Sequence, residues 1–454
     1  MKRAVLAVAL AGCYSLAPSY QRPAAPIPNQ LPGGQGSGSH LTLAQFVKAP
    51  KLREVLARVV AQNRTLRRTA LDIESARQLY RVQRAQMLPS VDAVANVTST
   101  RALVGSPDNA TARFTSYGAS VGLASWEIDL FGRLKSLSDA KLQQYLSSIE
   151  QAKATRISLI AETATAWVTL AADRSRLVIA KDTMATSRQA MDLTKQLVVG
   201  GTSNAGDYWQ ASTVFQQARA DVAILTAAIA QDRNALELLA GGPLDDALLP
   251  VALPAQLDWF AEVPVGLGSE VLLERPDVVA AEHDLMAANA NIGAARAQFF
   301  PSLTLTASGG LASVALASLF TGPAAVFTLA PALALPLFRG GANRANLAYT
   351  EAQEQSFVAA YELAIQTAFR EVADALATRA TIDEALDAQA ALVEAATKAL
   401  ALSQARYQAG VDTFLTTLVS ERALYAAKNS LVATQLAALG NRVALYRVLG
   451  GGLD

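Results

Sequence analysis

Two stretches of this chain, 66 residues from Leu134 to Val199 and 67 from Asn343 to Ala409, contain neither glycine nor proline. At about 1.5 Å per residue, one unbroken helix of that size is about 100 Å long. No ordinary globular core calls for such a helix, and this chain writes it twice. The heptad phase from Leu142 through Tyr145 and Ile149 to Val198 is only weakly apolar. An Ala-rich helix with apolar residues on more than one side suits close packing between two neighbours. Each stretch ends beside a glycine, Gly201 or Gly410, where the chain can reverse into a shorter helical run, 207–240 or 411–449.

The doubling extends past the helices. "RAQMLPS" at Arg84 returns 212 positions on as "RAQFFPS" at Arg296, and "DRNALELLAGG" at Asp232 returns 209 positions on as "NRVALYRVLGG" at Asn441. Gly132 and Gly341, Glu162 and Glu371, Leu177 and Leu386, Gly201 and Gly410 all keep the 209 offset without a gap. Glycines recurring in register are not what an Ala-rich composition produces by chance. The chain is therefore two copies of one unit.

Each unit opens with a helical run, 51–88 in the first and 277–300 in the second, and Pro89 ends the first. The apolar period then changes from helical to alternating. Val91, Ala93, Ala95 and Val97 lead to the turn-rich "GSPDN" at Gly105. Tyr117, Ala119, Val121 and Leu123 follow, with Trp126, Ile128 and Leu130 one register over. These residues predict a hairpin over 90–131. Leu303, Leu305 and Ala307, then Phe327, Leu329, Leu333, Leu335 and Leu337, predict a second over 302–338. Pro331 and Pro336 should kink its last strand. Four strands cannot close a membrane barrel alone, since the smallest has eight. Their edges need other copies of the chain, and a homotrimer supplies twelve strands around a hollow.

The amino terminus reads as an export signal over 1–12, with Lys2 and Arg3 followed by an apolar stretch. Its end, Leu10, Ala11, Gly12 and Cys13, resembles a bacterial lipobox, which would make Cys13 a lipid attachment point. Tyr14, not Asp, follows it, and in that resemblance the outer membrane is favoured over the inner. The alternative is a buried free thiol. Residues 13–40 are rich in Pro, Gly, Gln and Ser and should lie extended over a surface or act as a tether.

Chemistry is thinly provided for. One cysteine and two histidines, His40 and His283, assemble neither a metal site nor a triad. No phosphate-binding loop is present, and Gly241 and Gly450 follow helices instead of opening them. With 39 basic and 38 acidic residues intermixed, no nucleic-acid footprint exists. No enzyme, no cofactor and no metal are expected.

"GCYSLAPSYQRP" at Gly12, "WEIDLFGRLKS" at Trp126, "LLERPDVVAAEHDLMAANANIGAARAQFFPSLTL" at Leu272, "LPLFRGGANRANLA" at Leu335 and "RYQAGV" at Arg406 carry a resemblance over nearly the whole chain. They look like a TolC-family outer membrane factor of the lipoprotein branch that serves RND-type efflux pumps. The resemblance implies an α+β membrane protein of two tandem repeats, 41–242 and 274–454, joined by an equatorial connection over 243–273. As a trimer it would form a 12-stranded β-barrel continuous with a periplasmic α-helical barrel. Such a duct stands in the outer membrane of a Gram-negative bacterium, in contact with membrane lipid. It carries drugs or small amphiphiles passively from a periplasmic adaptor and an inner-membrane RND pump. A duct of the same architecture for a type I protein-secretion system is the alternative.

The resemblance also implies sites. The tips at Gly201, Gly410 and Val411 would meet the adaptor. A periplasmic gate would lie just after the second tip, where the pump-linked branch has a leucine followed four residues later by an aspartate. Here the pair is Leu415 and Val419, so the acidic ring is replaced by valine. Tyr407 would hydrogen-bond Asp207 on a neighbouring helix, and Arg422 would sit one turn above Val419. Two readings stay open: a two-tier apolar gate, or Val419 packed between helices with Asp412 supplying the acidic ring.

Overall fold

The computed structural model describes residues 15–32, 41–103, 111–263 and 268–451. Residues 1–12, Cys13, His40 and the turn at Gly105 lie outside them. The chain divides into two compact units. The first comprises Met1–Ala24, Asp72–Ile149 and Ala280–Glu362; the second comprises Ala25–Leu71, Glu150–Val279 and Leu363–Asp454.

In chain order the helices are α1 (Leu43–Phe46), α2 (Pro50–Gln62), α3 (Arg64–Ala85), α4 (Arg133–Val199), α5 (Ala205–Ala240), α6 (Pro276–Ala297), α7 (Ala342–Gln408) and α8 (Phe414–Val448). The strands are β1 (Val91–Leu103), β2 (Thr111–Ile128), β3 (Ser302–Ser313) and β4 (Ala325–Ala334). The two glycine-free stretches are thus single helices of 67 residues each, α4 and α7. No described helix is long and apolar enough to cross a membrane.

The first unit holds one antiparallel sheet in the order β1-β2-β3-β4. The two hairpins, one from each repeat, are joined edge to edge by β2 and β3, with Tyr117 opposite Ser313 and Ile128 opposite Leu303. Direct partners share a face, so the register sorts the side chains. Val97, Val121, Leu123, Leu311, Phe327 and Leu329 fall on one face, and Asp92, Asn96, Thr98, Ser116, Ser120 and Thr328 on the other. One face is made for lipid and one for water. Within the chain, β1 and β4 each have a free edge.

The expected kink is in a different strand. β4 keeps an unbroken register through Pro331, which stands opposite Leu305, and ends at Ala334 before Pro336. Among the described residues β4 pairs only with β3, and the register with β3 runs through Pro331 without a shift. The irregularity lies in β2, between Leu123 and Trp126, where Ser125 has φ +50°. One extra residue moves Trp126 and Ile128 onto the apolar face, as the register change in the sequence requires. Trp126 then donates its indole N–H to the Met87 carbonyl at 3.2 Å.

The residues of the amino-terminal segment in this unit form a strap. Arg22 holds the buried Glu282 of α6 with two hydrogen bonds of 2.7 and 2.6 Å, and the Tyr20 hydroxyl donates to the same carboxylate at 3.1 Å. Asn289 donates to the Pro18 carbonyl at 2.9 Å. A Cβ on Gly293 would stand 2.6 Å from the Ala17 nitrogen, so the strap passes where only glycine leaves room. His283 is half-buried, and its Nδ1 lies 2.7 Å from the Gln143 side-chain oxygen.

In the second unit, Leu52, Val55, Leu56 and Val59 are fully buried along one stripe of α2. Phe46 stacks between Phe260 and Tyr446, with ring centroids 5.1 and 4.2 Å away. The expected continuous helix over 51–88 is broken at Asn63 into α2 and α3. The reason is tertiary. Asn63 leaves the helical region at ψ 133°, donates to the Leu239 carbonyl at 2.7 Å, and accepts from the Thr65 and Leu66 amides at 2.8 and 3.2 Å. It ends one helix and caps the next.

The "ERPDV" run has a local logic as well. Pro276 takes the first position of α6, Asp277 faces the positive end of its dipole, and the Arg275 carbonyl accepts the Val279 amide at 2.9 Å. The Arg275 side chain, 7% exposed, meets Asp277 at 3.0 and 2.6 Å, Glu371 at 3.0 Å and the Val448 carbonyl at 2.9 Å.

Candidate functional site

The two tips and the first turns of α5 and α8 lie in the second unit. At the first tip the Gly200 amide donates to the Gln196 carbonyl at 2.9 Å and the Thr202 amide to Leu197 at 2.9 Å. Gly201 at φ +73° makes the reversal. Asn204 caps α5, its side-chain oxygen accepting the Asp207 amide at 3.0 Å. The Asp207 carboxylate is occupied locally by Ser203 at 2.8 Å and Asn204 at 3.0 Å.

At the second tip Gly410 has φ +75° and the Val411 amide donates to the Arg406 carbonyl at 2.9 Å. Arg406 grips Asp412 with two hydrogen bonds of 2.7 and 2.9 Å and holds that carboxyl below the usual carboxylate range. Tyr407 packs edge-on against Phe414, 5.5 Å between centroids. Among the described residues Tyr407 meets Phe414 and Asp207 meets Ser203 and Asn204, each within its own tip. A Cβ on Gly201 or Gly410 would meet nothing within 4 Å. The tips are open surface, and what they demand of glycine is only the left-handed backbone.

Leu415 and Val419 stand four residues apart on α8 and share one face. They are 48% and 57% exposed, whereas Thr417 and Leu418 between them are buried. Just beyond them α8 is fastened. Arg422 donates to the Thr213 hydroxyl of α5, and the Tyr425 hydroxyl donates to Asp221 of α5 at 2.7 Å. Burial, with Asp221 beside it, pushes the Tyr425 phenol up to about 12, so it stays a donor at every physiological pH. On the other side Glu421 accepts from Thr186 of α4 at 3.3 Å, and burial raises its carboxyl.

Sequence reasoning singled out Arg422 but missed Thr213, Tyr425, Asp221 and Glu421. One signal was available: Thr213 and Arg422 are 209 residues apart, so they occupy equivalent places in the two repeats. Among the described residues no group of His, Asp and Glu could hold a metal ion.

A sequence profile described as outer membrane efflux protein matches residues 55–242 and 267–451. The toluene efflux pump outer membrane protein TtgI of Pseudomonas putida is 42% identical over 98% of this chain and 96% of its own length. A crystal structure of a membrane protein from Pseudomonas aeruginosa superposes with a TM-score of 0.89 at 40% identity, covering 96% of this chain and 98% of that one. The open state of the Neisseria gonorrhoeae MtrE outer membrane channel gives 0.84 at 35%, covering 97% and 99%.

Proposed function

Because the chain belongs to the outer membrane efflux protein family, we propose that three copies of it close a duct fed by a periplasmic adaptor and an inner-membrane RND transporter. The chain is an outer membrane exit duct for efflux, a passive channel and not an enzyme. The observation that supports the trimer is the sheet: apolar on one face, polar on the other, with β1 and β4 left open at its edges. Three such sheets make a twelve-stranded wall with lipid outside and water inside. For the cargo we take organic solvents such as toluene, with drugs and other small amphiphiles, because a full-length relative is named for toluene efflux.

Three further assignments go with this reading. Gly201, Gly410 and Val411 form the adaptor-docking tips, supported by their open surroundings and, for Val411, by 64% exposure. Leu415 and Val419 form the periplasmic gate, which Arg422 and Tyr425 brace. Cys13 carries lipid, and the strap at Tyr20 and Arg22 ties the segment that follows it to the first unit.

One complementation experiment tests the set. A deletion strain should regain toluene and drug tolerance with the wild-type gene and lose it again with Gly201→Trp or Gly410→Trp, although those variants still form trimers. Cys13→Ala should abolish palmitate labelling while the barrel keeps protein in the membrane. A deletion that leaves tolerance unchanged but stops the secretion of a protein would assign the duct to secretion instead.

A further inference from the structure

Near the turn that joins β1 to β2, the register sets Arg101 directly opposite Arg113. Like charges facing each other across a sheet repel, and the pair stands within about 4.5–5.5 Å at Cβ. Among the described residues neither guanidinium has a carboxylate partner. Arg101 donates from Nε to the Thr111 hydroxyl at 2.8 Å, and among the described residues its terminal nitrogens have no partner. Both arginines are exposed.

Their face of the sheet decides what they can meet. Arg101 and Arg113 alternate in register with Val97, Tyr117 and Val121, so they lie on the apolar face that turns to lipid. The helices α3 and α4 adjoin the Val91 and Ile128 ends of the strands, so the arginines stand at the opposite end, the outer rim. Between the apolar band and the arginines come Ser99 and Thr115, hydrogen-bonded at 3.3 Å, which mark the passage from acyl chain to headgroup. Two forked cations at headgroup depth, facing each other and without a carboxylate partner among the described residues, present donors that suit an anion from outside the chain. The planar guanidinium donates two parallel hydrogen bonds to phosphate oxygens.

We propose that Arg101 and Arg113 together bind the phosphate of a lipid headgroup in the outer leaflet, so that each copy of the chain carries one phospho-glycolipid on its outer wall. The assignment rests on the outer membrane location and not on the cargo.

The test uses the intact oligomer in a neutral detergent, with diphosphorylated lipid A, the same lipid with its phosphates removed, and inorganic phosphate as probes. Bound lipid is counted by native mass spectrometry, and the temperature of oligomer dissociation is read in parallel. Diphosphorylated lipid A should bind and raise that temperature, and the Arg101→Gln, Arg113→Gln double variant should bind it about tenfold more weakly, as expected for lost charge-assisted hydrogen bonds. Arg113→Gln alone, without lipid, should be no less stable than wild type, because it relieves a repulsion. Four results would overturn the proposal: equal lipid binding by the double variant, equal binding of the dephosphorylated lipid by wild type, equal stabilisation by inorganic phosphate alone, or a loss of stability in lipid-free Arg113→Gln.

Discussion

Arg275→Met should destabilise the second unit by about 3 kcal/mol, the lower end of the range for breaking a buried ion pair. The guanidinium is 7% exposed and binds two carboxylates and a backbone carbonyl from three separate places in the chain: Asp277 on α6, Glu371 on α7 and Val448 at the end of α8. Methionine keeps much of the volume and removes every hydrogen bond. The loss is limited because Asp277 is 47% exposed and Glu371 keeps Arg447 at 3.5 Å. Among the described residues the Val448 carbonyl has no such second partner from a side chain. Heating the purified oligomer and following its dissociation and helical circular dichroism gives the measurement. Arg275→Lys should recover only part of the difference, since a single ammonium cannot reproduce the paired contact to Asp277. A Met variant as stable as wild type would show that the cluster contributes little.

The long helices, the duplication and the alternation of the strands were legible because each follows from local chemistry: absent glycine and proline, a constant offset, a period of two. Even the bulge at Ser125 was visible as the register change between Leu123 and Trp126. What was not legible depends on partners far away in the chain. Nothing between 51 and 88 breaks a helix intrinsically; Asn63 does so because the Leu239 carbonyl stands within 2.7 Å of its amide. The strap needs Glu282 opposite Arg22, 260 residues on. In the candidate site, the tip glycines were readable from turn chemistry, whereas the Tyr425–Asp221 bond joins helices of different repeats across 204 residues. At the first tip, Ser203 and Asn204 both donate to Asp207 Oδ2, local contacts that follow from the Asn204 cap of α5.

The gate carries the other large effect. If Leu415 and Val419 of three copies converge on one axis, two apolar tiers close a passage that an aspartate at the second tier would keep wet and cation-attracting. The structure supports the apolar reading at two points. Both side chains are exposed in the single chain, at 48% and 57%, so no helix of the same copy covers Val419. Asp412, the other source of an acidic ring, is bound at both oxygens by Arg406 and its charge is compensated. Purified trimers in planar bilayers should therefore conduct weakly and with little preference between cations and anions. Leu415→Ala and Val419→Ala should each raise the conductance severalfold by widening a tier and letting water in. Val419→Asp should raise it too, with a cation preference that weakens as salt screens the ring. Tyr425→Phe, which frees α8 from Asp221 without touching the constriction, should increase the frequency of opening and leave the selectivity of each opening unchanged. Wild-type conductance in both alanine variants would place the constriction elsewhere on the axis, and a cation preference already present in the wild type, lost in Asp412→Asn, would give the acidic ring to Asp412.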